Sequence, residues 1–231
     1  MNGGERHPVG MSVGKRCCRV NVTMPFLLAA GVALLLTSAG CGRTAKIERG
    51  PYAALGEVAA KATSRLLGDK GKIVLLVSEA DNNASTALGM AVKTFNDTLK
   101  HAGGVQVTAT ETIKPEAAFA VSGAEPLTPA KLAELLAKHV TADALVSFVG
   151  VPRLTAEQIG QLPQARPKVV AVVTYNPPTR AMFARGVLHL AVLARPAAGT
   201  SARTPTTTQE WFDANYQLVT PATASAMPFL P

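Results

Sequence analysis

Apolar residues follow two rhythms along this chain. Short continuous runs rich in Val, Ile and Leu alternate with longer stretches in which apolar residues recur at helical spacing. The runs are Lys72 to Ser78, Asp143 to Gly150, Lys168 to Thr174 and Gly186 to Ala194. Each is short and nearly unbroken, as expected of a strand buried on both faces. Val105 to Thr112 alternates instead, with Val105, Val107 and Ala109 on one side. Between the runs, Tyr52 to Leu67 places Leu55, Val58, Ala59, Ala62 and Leu66 on one helical face, and Ala84 to Ala102 does the same with Leu88, Ala91, Val92, Phe95 and Leu99. Gly68 and Gly103-Gly104 stop these two helices. Thr128 to Val140 reads as a helix capped by Thr128, with Pro129 in its first turn. Thr155 to Leu162 is a shorter helix, and Pro178 to Arg185 a short helix or turn. Residues 114 to 127 read as an irregular loop.

Strand and helix thus alternate, and parallel strands joined by right-handed helical crossovers are the economical packing. The predicted fold is an α/β three-layer sandwich around a five-stranded, mainly parallel, doubly wound sheet ordered 2-1-3-4-5. After residue 196 the composition shifts to Ala, Gly, Ser, Thr and Pro, which suits a flexible linker. Glu210 to Val219 then carries the only tryptophan, Trp211, with Phe212, Tyr216 and Leu218, and is expected to dock on the body as a short helix and extended tail.

The amino-terminal region follows a different pattern. Arg6, Lys15, Arg16 and Arg19 precede an apolar run of 13 residues, Met24 to Leu36, followed by small residues up to Cys41. A basic region, a short apolar segment and a small-residue cut site mark a secretory signal peptide. A spanning helix needs about 20 apolar residues. Ser38-Ala39-Gly40-Cys41 resembles the lipobox of bacterial lipoproteins, with Ser38 where leucine is usual. That resemblance implies cleavage before Cys41 and a diacylglyceryl group on its sulfur. The chain then divides into a signal peptide (1 to 40), a lipidated tether (41 to 51), an α/β domain (52 to 196) and a linker with a docking tail (197 to 231). The expected location is the cell membrane or outer membrane, lipid-anchored and facing the periplasm or exterior.

Cys17 and Cys18 fall in the removed segment, so the mature chain keeps no free thiol and no disulfide. That excludes cysteine nucleophiles and thiolate metal sites. The net charge is +8, with 4 of 23 basic and 1 of 15 acidic residues ahead of Cys41. The remainder is mildly basic and has no dense Lys/Arg block with interleaved aromatics, which excludes nucleic acid as the natural partner. Neither G-x-x-x-x-G-K-[ST] nor G-x-G-x-x-G follows the first strand, and Glu79 and Asp81 would repel phosphate, so no nucleotide or flavin cofactor is expected. No G-x-S-x-G and no paired histidine motif is present, so no catalytic or metal site is expected.

Taken in order, Gly71 to Val77, the helix ending at Gly103-Gly104-Val105, Asp143 to Gly150, and Lys168 to Val173 followed by Gly186-Val187-Leu188 resemble the type 1 periplasmic binding protein fold of ABC uptake systems. The resemblance covers about residues 72 to 195 and implies a non-enzymatic solute-binding module. Such proteins have two lobes and this chain has residues for one, so a protein partner could supply the second.

In open parallel sheets, ligands bind beyond the carboxyl ends of the strands. Those ends here supply Ser78, Asp81, Asn82, Asn83 and Ser85 after the first strand, Arg153 after the third, and Tyr175 and Asn176 after the fourth. These amide, hydroxyl and guanidinium groups suit a small polar solute, with Arg153 able to pair with a carboxylate. The same Asp, Asn, Ser and Thr residues also suit turns and helix caps. An envelope scaffold that binds a protein partner would instead expose an apolar patch at this edge or around Trp211. A hydrolase would need a histidine or carboxylate within hydrogen-bond reach of a serine.

Overall fold

The computed structural model describes residues 49–82, 84–114, 127–172, 178–195 and 204–227. The elements in order are α1 (Arg49–Leu66), β1 (Gly71–Ser78), a 3-10 turn (Glu79–Asp81), α2 (Ala87–Ala102), β2 (Val105–Ile113), α3 (Pro129–Lys138), β3 (Ala144–Ser147), α4 (Ala156–Gly160), β4 (Lys168–Val172), α5 (Arg180–Ala184), β5 (Leu188–Ala194), α6 (Thr208–Asn215), β6 (Tyr216–Val219) and α7 (Pro221–Ala224). The sheet runs β2-β1-β3-β4-β5-β6. The first five strands are parallel in the predicted order. The sequence reading stopped at five strands, and the structure adds a sixth. Tyr216 to Val219 pairs antiparallel with β5, Tyr216 opposite Ala194 and Val219 opposite Ala191. Four residues among aromatics show too little alternation to signal a strand, and pairing with β5 supplies what the pattern lacks.

Local chemistry fixes the helix ends. The Thr86 hydroxyl accepts the Gly89 N–H at 2.9 Å, and α2 ends on Gly103 at φ 75°, a left-handed cap whose N–H reaches the Leu99 carbonyl. Thr128 caps α3 ahead of Pro129. Thr155 and Gln158 form a reciprocal capping box at α4. The run from Asp143 is expected to stay extended to Gly150, but β3 stops at Ser147. There the Ser147 hydroxyl donates to the Gly150 carbonyl at 2.5 Å, and Gly150 adopts φ 79°, turning the chain away.

Two apolar layers sandwich the sheet. Ile73, Leu75 and Val77 point toward α1, α2 and α6, where they meet Leu55, Ala59, Phe95 and Phe212. Val74 and Leu76 point the other way, toward Leu132, Leu136, Ile159 and Met182 of α3, α4 and α5. This alternation explains why β1 is apolar on both faces. Each such fully buried side chain contributes about 1.5–3 kcal/mol. Phe95 meets Phe148 edge to face, with ring centroids 5.4 Å apart. Helices α1 and α2 approach closely because Gly56 lies against the backbone of Ala91 and Phe95.

Among the described strands, β2 is the outermost on the side beside β1. Its register shifts by one residue, Ile73 opposite Val107 but Val74 opposite Ala109, so Thr108 is extra and its hydroxyl bonds the Ile73 carbonyl at 3.1 Å. At the other side of the sheet, the β4–β5 pairing also shifts, and His189 is the extra residue.

Among the described residues, no helix is long and apolar enough to cross a membrane.

Candidate functional site

The order β2-β1-β3 means that the chain leaves β1 to one side and β3 to the other. The point between them is where an open parallel sheet forms a crevice at its carboxyl edge. The Phe148 N–H still bonds the Leu76 carbonyl at 2.8 Å, after which the β3 side turns off at Gly150. The loop following β1 and the loop following β3 therefore begin side by side.

On the β1 side, most of the predicted polar groups are already occupied. The Ser78 hydroxyl accepts the Ala80 N–H at 3.3 Å and starts the 3-10 turn. Asp81 accepts a hydrogen bond from the Thr86 hydroxyl at 2.8 Å, which orients the cap of α2. These two residues thus serve turn and cap, one of the two roles open to them from sequence. Ser85 is exposed between them and α2. Asn82 is exposed and makes no hydrogen bond to another described residue. Glu79 faces Lys114 from the end of β2, with 3.9 Å between charges that are both well exposed. Such a pair contributes little to stability.

On the β3 side, Val151, Pro152 and Leu154 are buried and pin the loop, while Arg153 between them is exposed. Arg153 has no ion pair or hydrogen bond to any described residue. The structure thus brings Asn82 and Arg153 to opposite sides of the switch point, and neither side chain has a partner among the described residues. Cys41, Asn83, Tyr175 and Asn176 lie outside the described residues. Sequence reading missed Thr179, just before α5 at the same edge, whose buried hydroxyl has no hydrogen-bond partner among the described residues. Its signal was a threonine before a helix, which usually means a cap, yet no cap bond forms.

Two cavities lie elsewhere. One of about 280 Å³ sits between α1, α6 and β6, lined by Val58, Ala62 and Leu218 with Glu57 and Arg65. Another of about 270 Å³ lies between α1 and α2 beside Ser64, Asp69 and Leu99. The Ser64 hydroxyl donates to Asp69 at 2.9 Å, but this closes the α1–β1 turn, where the Asp69 N–H also returns to the Ser64 carbonyl. Among the described residues, no group of three or more His, Cys, Asp or Glu could hold a metal ion.

No protein-family model matches the chain, and comparison with curated proteins finds no match. Solved structures similar to it include an ABC transporter solute binding protein from Burkholderia graminis C4D1M in complex with D-arabinose, at 12% identity and TM-score 0.49, covering 78% of this chain and 62% of that one. An arabinose binding protein from Geobacillus stearothermophilus is similar at 12% identity and TM-score 0.48, covering 76% and 62%. A sugar-binding protein of a sugar ABC transporter from Bacillus halodurans is similar at 12% identity and TM-score 0.48, covering 76% and 64%. This chain therefore spans about three fifths of the length of the solute-binding proteins it is similar to.

Proposed function

We propose that this chain is an exported, lipid-anchored, non-catalytic module that binds a small polar solute at the carboxyl edge of its sheet. The observation that supports the reading is the placement of Asn82 and Arg153, exposed and without a partner among the described residues, on the two loops that diverge at the β1/β3 switch point. An amide and a guanidinium there can share the hydroxyl or carboxylate oxygens of one solute. Lipid on Cys41 would hold the module at a membrane surface on the outer side of the cell.

A scaffold role at this edge has less support. Among the described residues, the exposed large hydrophobics are Val107 and Val140, on β2 and after α3, and neither is at the candidate site. Trp211 is partly buried with its ring over Gly50, so it pins the tail to α1 and does not form an open patch.

The test is a thermal-shift and calorimetric screen of the purified chain against sugars, amino acids, nucleosides and small carboxylates. A ligand at 100 times its dissociation constant adds about 2.7 kcal/mol, roughly 5–10 °C in Tm for a domain of this size. Loss of a charge-assisted hydrogen bond in Arg153→Ala should weaken binding about 10- to 100-fold. Asn82→Ala should weaken it less. If no class raises Tm, or if both variants bind as the parent does, the solute-binding reading of this edge is wrong.

A further inference from the structure

Helix α1 uses two of its faces. One packs into the body through Leu55, Ala59 and Ala60. The other, Glu57, Val58, Lys61, Ala62 and Arg65, lines the cavity of about 280 Å³ that Thr208 and Gln209 of α6 and Leu218 of β6 close from the other side. Residues spaced by three and four lie together on a helix, so one face supplies both the apolar and the charged groups. Val58, Ala62 and Leu218 are each only partly buried, which leaves apolar surface along the cavity wall.

The charges on that wall are not equivalent. Glu57 accepts hydrogen bonds from Lys61 at 2.6 Å and from the Thr208 hydroxyl at 3.1 Å. The Lys61 bond holds the Glu57 pKa below its ordinary value, so Glu57 is an anion at neutral pH with a cation already beside it. Two turns further along α1, Arg65 is exposed, and its guanidinium has no ion pair or hydrogen bond to any described residue. Glu57 and Lys61 offset one another, and Arg65 gives the lining its excess positive charge. The helix dipole favours a cation in the last turn. That accounts for Arg65 but not for the open apolar wall next to it.

We infer that this cavity is a second binding site, which takes a small amphipathic carboxylate with its apolar body on Val58, Ala62 and Leu218 and its head on Arg65. Glu57 repels the head from the opposite end and so sets the direction of the ligand. Val58 and Arg65 are seven residues apart, about 10 Å along the helix, which matches an aliphatic tail of about eight carbons. Neutral and cationic amphiphiles forgo the guanidinium pairing. None of the lining residues belongs to the loops after β1 or β3, so the site is separate from Asn82 and Arg153 and does not depend on solute binding there.

The experiment uses the purified full chain and a photoactivatable octanoate with a diazirine on its tail. Cross-linked peptides are mapped by mass spectrometry, with octanoate, octanol and octylamine as competitors. The expected label falls on peptides from α1 and β6. Octanoate should remove it at concentrations at least about tenfold lower than octanol or octylamine. From butanoate to decanoate, each added CH₂ should tighten competition by up to about fourfold until the cavity is full. Arg65→Gln, at an exposed position, should weaken capture about 10- to 100-fold. Ala62→Phe should abolish it by filling the cavity, and Arg65→Gln keeps the test decisive if that variant does not fold. Lys131→Gln removes an exposed cation from α3, across the sheet, and should capture as the parent does. Label spread over other elements, equal competition by octanol, or parent-like capture by Arg65→Gln overturns the inference, and none of these bears on the solute screen. Stronger protection by phosphatidylglycerol vesicles than by octanoate would make this face a membrane contact and overturn it as well.

Discussion

His189 shows how one residue can be placed by a backbone irregularity. It is the extra residue in the β4–β5 pairing, and its Nδ1 accepts the Val169 N–H at 3.3 Å, replacing a strand carbonyl. Burial holds its pKa below the ordinary histidine value, and the Lys168 and Arg166 charges push it the same way. The folded state therefore prefers the neutral ring, which is also the form that can accept this bond. Because the unfolded chain binds the proton more readily, the contribution is complete above an unfolded histidine pKa of about 6.5 and is lost as the pH falls through and below it. Stability measured by urea unfolding should therefore decline from pH 7.5 toward pH 5.5, and His189→Gln should flatten that slope. An unchanged slope in the variant would assign the pH dependence elsewhere. From sequence, a histidine in an apolar run reads as a satisfied core or face residue, and this one is half-buried and bonded. The bulge that satisfies it is not visible in the run, because register shifts arise between strands.

At the scale of elements, Gly56 sets how closely α1 and α2 pack. A Cβ there would stand 2.2 Å from the Ala91 carbonyl oxygen and 2.9 Å from the Phe95 nitrogen. Backbone atoms of a packed helix cannot yield cheaply. Gly56→Ala gains helix propensity on α1 but should cost a net 1–3 kcal/mol or so from overpacking, several degrees in Tm for a domain of this size. A variant as stable as the parent would show that α1 and α2 can slide apart. The alternating periods of the sequence located these helices and all five parallel strands, since a strand buried on both faces and a helix buried on one leave different marks. They could not locate β6, whose four residues join the sheet only because α6 delivers them to the edge of β5. The early end of β3 escaped for a similar reason. Phe148 and Val149 are as apolar as the strand before them, and the turn depends on one hydroxyl and one glycine.

For the whole molecule, the proposed anchor and the proposed solute edge are legible to different degrees. The signal-like segment ending at Cys41 is contiguous and can be read directly. Cys41→Ala should abolish incorporation of labelled palmitate and move the chain from the membrane fraction to the soluble one; continued labelling would place the lipid elsewhere. The proposed solute edge is assembled from loops some 70 residues apart, so sequence can nominate its members but not sort them. Ser78 and Asp81 were nominated beside Asn82 and Arg153, yet the first two are spent on the 3-10 turn and the α2 cap. Residue type did not distinguish them, because a serine or aspartate that caps and one that binds a solute offer the same oxygen.

The extra threonine in β2 has a consequence for life on a crowded surface. The lipid proposed on Cys41 would confine molecules to two dimensions, where neighbours collide edge to edge far more often than in free solution. A straight nine-residue outer strand would then be a template on which copies could stack into a continuous ribbon. Thr108 interrupts that template, since it bends the strand out of register and turns its own hydroxyl inward to the Ile73 carbonyl. On a membrane held by the lipid proposed on Cys41, that kink would keep neighbouring copies from pairing edge to edge.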